Sequence, residues 1–96
     1  MERFEVAHIR EQGIDLVITP LDRSFGCKTQ AEQNEVQCAL QACAMSAGLA
    51  GTVVPVWDAG GGRMGFLAPQ NFHPFFRGLT LRDVAANINR ELSCSC

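Results

Sequence analysis

Two kinds of periodicity alternate along the chain. From Phe4 to Ile9 the sets Phe4-Val6-His8 and Glu5-Ala7-Ile9 interleave, and from Ile14 to Thr19 the sets Ile14-Leu16-Ile18 and Asp15-Val17-Thr19 do the same. A period of two with one face more apolar than the other predicts strands. Gly13 between them supplies a turn, so the first twenty residues read as a hairpin. Leu21 to Lys28 is a loop. Thr29-Gln30-Ala31-Glu32 then fits a capping box, in which the threonine oxygen accepts an early amide and the glutamate reaches back to the cap. Val36, Ala39, Leu40, Cys43 and Ala47 follow at helical spacing, with Cys38 and Met45 opposite, and Gly48 is a natural stop.

The second half repeats this order. Val53, Val54, Val56 and Trp57 suit a pleated, partly buried strand. Gly60, Gly61 and Gly62 supply a turn, Met64 to Ala68 returns, and Pro69 ends the strand by removing a ladder donor. A glycine-rich loop also cradles phosphate where a helix follows it directly, but here a strand follows and the turn is the better reading. Gln70 to Gly78 is an aromatic loop, QNFHPFFRG, and Thr80 to Asp83 is a second capping signature. Leu81, Val84, Ala85, Ile88 and Leu92 repeat the helical stripe, leaving Ser93 to Cys96 as a short frayed tail.

A shift of 49 residues lays Gly62 on Gly13 and Pro69 on Pro20, so the chain reads as ββα followed by ββα. The repeat is one of pattern rather than residue identity. The expected fold is α+β: one domain over residues 1–96, with units 1–48 and 49–96, forming a four-stranded antiparallel sheet with both helices on one face. The other face then carries Ala7, Ile9, Val17, Val54, Val56, Met64 and Phe66. That is too apolar for water, which predicts a homodimer or larger homo-oligomer through the open sheet face.

Composition narrows the function classes. At 96 residues, 47% hydrophobic and 19% charged, the chain is long and apolar enough for a core of its own. No apolar run reaches the roughly 20 residues of a membrane helix, and the charged N-terminus is unlike a secretion signal. The cytoplasm is the expected location. The formal charge of −2 and the lack of a basic face argue against nucleic acid. Five cysteines without a secretion signal are expected as reduced thiols, with Cys43 a small apolar residue of the helical stripe.

The candidate binding residues are Trp57, Phe66, Phe72, His73, Phe75 and Phe76, which would line a pocket or interface, with Asp58 and Arg63 supplying charge beside the glycine turn. His73, set between Phe72 and Pro74, reads either as an imidazole facing a ligand or as a loop residue bonded to backbone. The second is the better reading, because nothing in the spacing fixes a partner. His8 lies in a strand and is expected to be packed and satisfied. Cys94 and Cys96 form a Cys-x-Cys tail, but no spacing signature supplies further zinc ligands, so neither metal nor cofactor is expected.

The run VPVWDAGGGRMGFLAPQNFHPFF, followed by NINREL at 87–92, resembles small uncharacterised bacterial proteins encoded by mobile gene cassettes of integrons. The resemblance implies a bacterial, cytoplasmic accessory protein and carries over no site residues. The leading expectation is a small binding or interaction module for an apolar molecule or a protein partner. The alternative is a small hydrolase or transferase using His73 with Asp58 or Cys27, and a third reading is an antitoxin-like regulatory partner. No motif names a reaction, so an enzyme is the less favoured class.

Overall fold

Ten residues of alternating character, Glu2–Glu11, form β1, and the chain turns back through Gly13 (φ 77°) into β2, Ile14–Pro20. The computed structural model describes residues 2–11, 13–68 and 70–94, apart from the side chains of Glu2 and Cys94. A 3-10 turn, Arg23–Cys27, leads to α1, Gln30–Ser46. β3, Thr52–Gly60, and β4, Arg63–Phe66, make the second hairpin. A short 3-10 turn, Gln70–Phe72, runs into α2, His73–Arg77, then α3, Leu81–Ala86, and β5, Arg90–Cys94.

Both capping boxes form. Thr29 Oγ1 accepts the Glu32 amide while a Glu32 carboxylate oxygen accepts the Thr29 amide at 3.0 Å, and Thr80 and Asp83 repeat the arrangement. Such a cap is worth about 1 kcal/mol. The Thr29 amide, and after it the Thr29 hydroxyl, hold the Glu32 carboxyl below its usual range. A carboxyl whose folded pKa is lowered stabilises the fold above its unfolded value, and loses that contribution as pH falls through the folded one. In an NMR titration Glu32 is therefore expected to titrate below an ordinary glutamate, with the Thr29 amide following the same midpoint. A Thr29 amide indifferent to that midpoint would mean an open cap.

The sheet differs from the sequence expectation. It has five strands in the order β4-β3-β2-β1-β5 and is mixed. β1 pairs antiparallel with both β2 and β5, and β3 with β4, but β2 and β3 run parallel, from Leu16↔Thr52 to Pro20↔Val56. The helical crossover through α1 is what permits this, since parallel neighbours need a connection of a dozen residues or more. The predicted second helix stops at Ala86. Leu92, expected on its stripe, lies in β5 opposite Phe4 and is fully buried, and Ser93 belongs to the strand rather than to a frayed tail. Cys96 and the strand-ending role of Pro69 lie outside the described residues.

The helices are also not on one face. α1 covers one side of the sheet, where Val36, Leu40, Cys43 and Ala44 pack with Phe4, Val6, Val17, Val53 and Leu92. The aromatic segment and α3 cover the other, where Phe72, Phe76 and Val84 pack with Ala7, Leu16, Ile18, Val54 and Val56. The face expected to be open is therefore closed: Ala7, Val54 and Val56 are fully buried beneath it, with Ile9, Met64 and Phe66 packed alongside. Val17 belongs to the α1 side, because antiparallel register sets it opposite His8. An oligomer through this face loses its basis, since its apolar area is covered from within the chain.

Two sheet edges that run out of strand are finished by side-chain amides. On β3, Gln41 donates to the Gly51 carbonyl (2.8 Å) and accepts from the Val53 amide (2.9 Å), while Gln37 donates to the Val53 carbonyl (3.3 Å). On β1, Asn89 accepts from the His8 amide (2.8 Å) and donates to the His8 carbonyl (2.9 Å). Each amide does the work of a neighbouring strand, sparing buried or half-buried backbone an unmade bond.

Candidate functional site

The β3–β4 hairpin ends in a register shift between Asp58 and Gly60, followed by three glycines with φ of 91°, 61° and 77°. A side chain at these angles is disfavoured, which is why glycine stands there. Asp58 Oδ1 accepts the Gly60 amide at 2.8 Å, tying the carboxylate to the turn. Arg63 opens β4 directly after the glycines.

Two further segments reach this end of the sheet. β2 is the parallel neighbour of β3, and the Leu21 amide continues their ladder by donating to the Val56 carbonyl (2.7 Å). The 3-10 turn that starts at Arg23 therefore arrives beside Asp58. From the opposite face, the capped start of α3 brings Thr80, Leu81 and Arg82. Together these segments enclose a depression of about 410 Å³ lined by Arg23, Asp58, Arg63, Met64, Leu81, Arg82 and the glycine turn. The three arginines are exposed, and among the described residues none forms a salt bridge or a side-chain hydrogen bond; the salt bridges join Arg3 to Glu91 and Arg10 to Asp15. Asp22, next to Arg23, accepts the Ser24 hydroxyl at 2.7 Å, which holds its carboxyl below the usual range.

The sequence-predicted binding residues fall in three places. Asp58 and Arg63 are at this depression. Trp57 lies on the α1 side of the sheet, half-buried, 4.9 Å from the Phe25 ring centroid. Its indole fills a slot between Gly26 and Gly65, where a Cβ on Gly26 would come within 2.6 Å of the indole nitrogen. Phe66, Phe72, His73, Phe75 and Phe76 belong to the opposite layer. Phe76 stacks on Phe66 (5.4 Å, 28°), and Phe75 and His73 meet that pair edge-on. The rings fill one another's space: Phe72 and Phe76 are buried and the other three are half-buried. As one aromatic pocket the predicted set does not assemble, because its members lie on both sides of the sheet.

The catalytic alternative does not assemble either. Cys27 and Asp58 share a smaller depression of about 200 Å³ on the Trp57 side. His73 lines neither this depression nor the larger one: it lies in the aromatic layer, with Nε2 bonded to the Ala68 carbonyl at 3.0 Å and its ring against Phe66. His8 is satisfied through Nε2 at the Ala50 carbonyl (2.8 Å).

Among the described residues, no three His, Cys, Asp or Glu side chains are placed to hold a metal ion. The side chains of the Cys-x-Cys tail lie outside that description. Cys27 and Cys38 are exposed free thiols, but Cys43 is disulfide-bonded, correcting the expectation that all five are reduced. No described helix is long and apolar enough to cross a membrane.

Nothing local in the sequence marks Arg23 and Arg82 as partners of Arg63. They sit 40 and 19 residues from Arg63, in a loop and a helix start, and only the fold brings them to the hairpin. No family model, curated protein or solved structure matches the chain.

Proposed function

We propose that the protein is a small binding module, of bacterial accessory type and acting in the cytoplasm, whose working surface is the arginine-lined depression at the end of the β3–β4 hairpin. One observation carries this reading. Three arginines from three separate chain segments line one concavity, in a chain of net charge −2, and among the described residues none of them is in a salt bridge. Grouped like charges repel one another, so the arrangement is unfavourable until an anion joins it. The expected occupant is therefore anionic rather than apolar. An apolar ligand would need the phenylalanines as walls, and their surfaces are used in packing against one another.

An NMR titration of the isotope-labelled protein with a panel of small anions, small cations and neutral aromatics tests the reading. Anions are expected to shift the amides of Arg23, Asp58 to Met64 and Thr80 to Arg82 as one set. Shifts confined to Phe66 to Phe76 with neutral aromatics, or anion shifts scattered over the surface, would overturn it.

A further inference from the structure

Charge and geometry at the depression narrow the class of anion. Among the described residues that line it, three arginines stand against one carboxylate, that of Asp58, for a formal charge of +2. A carboxylate ligand answers half of that, whereas a phosphate monoester near neutral pH carries up to two negative charges. Guanidinium also suits a tetrahedral oxyanion: each presents a planar fork of donors, and several forks can share one phosphate without competing for the same oxygen. Volume supplies the second constraint. At about 410 Å³ the depression lies in the size range of small-molecule sites and is far larger than a phosphate alone. The remaining wall includes Met64 and Leu81, both half-buried, with their inner sides packed on the core. Asp58 has Oδ1 committed to the Gly60 amide, while among the described residues no hydrogen bond engages Oδ2, which can accept from a hydroxyl or amine on the ligand's body.

We propose that the depression holds an organic phosphate monoester, its dianionic head among Arg23, Arg63 and Arg82 and its apolar body on Met64 and Leu81. The inference rests on the binding-module reading and deepens it by naming the ligand class. Such a ligand joins the β2–α1 connection, the hairpin turn and the start of α3, so binding also raises the melting temperature by linkage.

The test compares phenyl phosphate, its methyl diester and benzoate at equal ionic strength, read by amide shifts and melting temperature. Vesicles with and without phosphatidic acid form a separate arm. Phenyl phosphate is expected to bind at least about tenfold tighter than the two monoanions, the equivalent of one well-placed charge-assisted contact. Arg63→Gln and Arg82→Gln should each weaken it by about tenfold or more, and Arg90→Gln, on the far edge strand, should not. Binding to phosphatidic acid vesicles but not to soluble phenyl phosphate would support the same head-group chemistry with a lipid as its source. Equal affinity for benzoate or the diester at the same amides would overturn the phosphate monoester and leave the anion-binding module standing. The absence of shifts at these amides with every compound would overturn both.

Discussion

Val56→Glu is expected to leave the chain unfolded. Val56 is fully buried in β3, paired with Pro20 on one side and Phe66 on the other, beneath the layer built by Phe72, Phe76 and Val84. A carboxylate there would be cut off from solvent among apolar side chains, and the effective penalty of burying an ion is several kcal/mol. Protonation relieves part of this but leaves an unpaired polar group and a longer side chain in a filled space. The total stability of a chain this long is about 5–14 kcal/mol, so one substitution consumes much or all of it. Val56→Ala, which only removes two methyl groups and leaves a small cavity, should cost about 2 kcal/mol and stay folded. Circular dichroism and a urea melt of the two variants decide the matter. A folded Val56→Glu whose only change is its association state would mean that this sheet face is open and that the aromatic segment does not cover it.

That face exposes the limit of reading the sequence by alternation. Leu16-Val17-Ile18-Thr19 and Val53-Val54-Pro55-Val56 are each buried at every position. Such unbroken runs are the mark of strands covered on both faces, typical of parallel neighbours under helices. The signal was present, and it pointed to two covering layers rather than to an exposed side. The hairpins and both capping boxes were legible because they depend on residues within a few positions of one another. The second helix was not. Leu81, Val84 and Ala85 do mark a helix, but Ile88 and Leu92 fit alternation as well as they fit a helical stripe. What selects the strand is an edge of β1 at Glu2 to Val6, some 88 residues away. Asn87 closes α3, with its amide donating to the Asp83 carbonyl at 2.8 Å, and Asn89 sets the register of β5 on β1. At the candidate site the same rule holds. Asp58 and Arg63 flank a turn and could be picked out locally, whereas Arg23 and Arg82 acquire their meaning only from the parallel pairing of β2 with β3 and from the face that α3 occupies.

Gly51→Ala is expected to cost far more than the addition of one methyl group ordinarily does. Gly51 leads into β3 at φ 121°, a conformation that strains any residue with a side chain. Its neighbourhood adds a second penalty: a Cβ there would run into the Asp15 carbonyl oxygen, and would come within 2.6 Å of the carbonyl carbon and 2.8 Å of the Asp15 Cβ. These contacts are with the β2 strand itself, at the step before the Leu16↔Thr52 pair that opens the parallel ladder. The new methyl cannot be accommodated by rotating a side chain, so β3 must move off β2. That movement also pulls the Gly51 carbonyl away from Gln41, whose amide holds both that carbonyl and the Val53 amide. Backbone strain of about 1–3 kcal/mol then combines with the loss of a hydrogen-bonded edge, itself about 1–3 kcal/mol when a half-buried group is left unmade. Gly13→Ala separates the two causes, because Gly13 also has positive φ (77°) but a Cβ there meets nothing within 4 Å. It should lose about 1–2 kcal/mol from the left-handed backbone alone. Chemical denaturation is expected to give Gly51→Ala a loss at least twice that of Gly13→Ala, with Gln41→Ala between them. Equal losses at the two glycines would mean that β3 does not approach β2 closely at Asp15, and would remove the close parallel start on which the placement of Arg23 beside the hairpin depends.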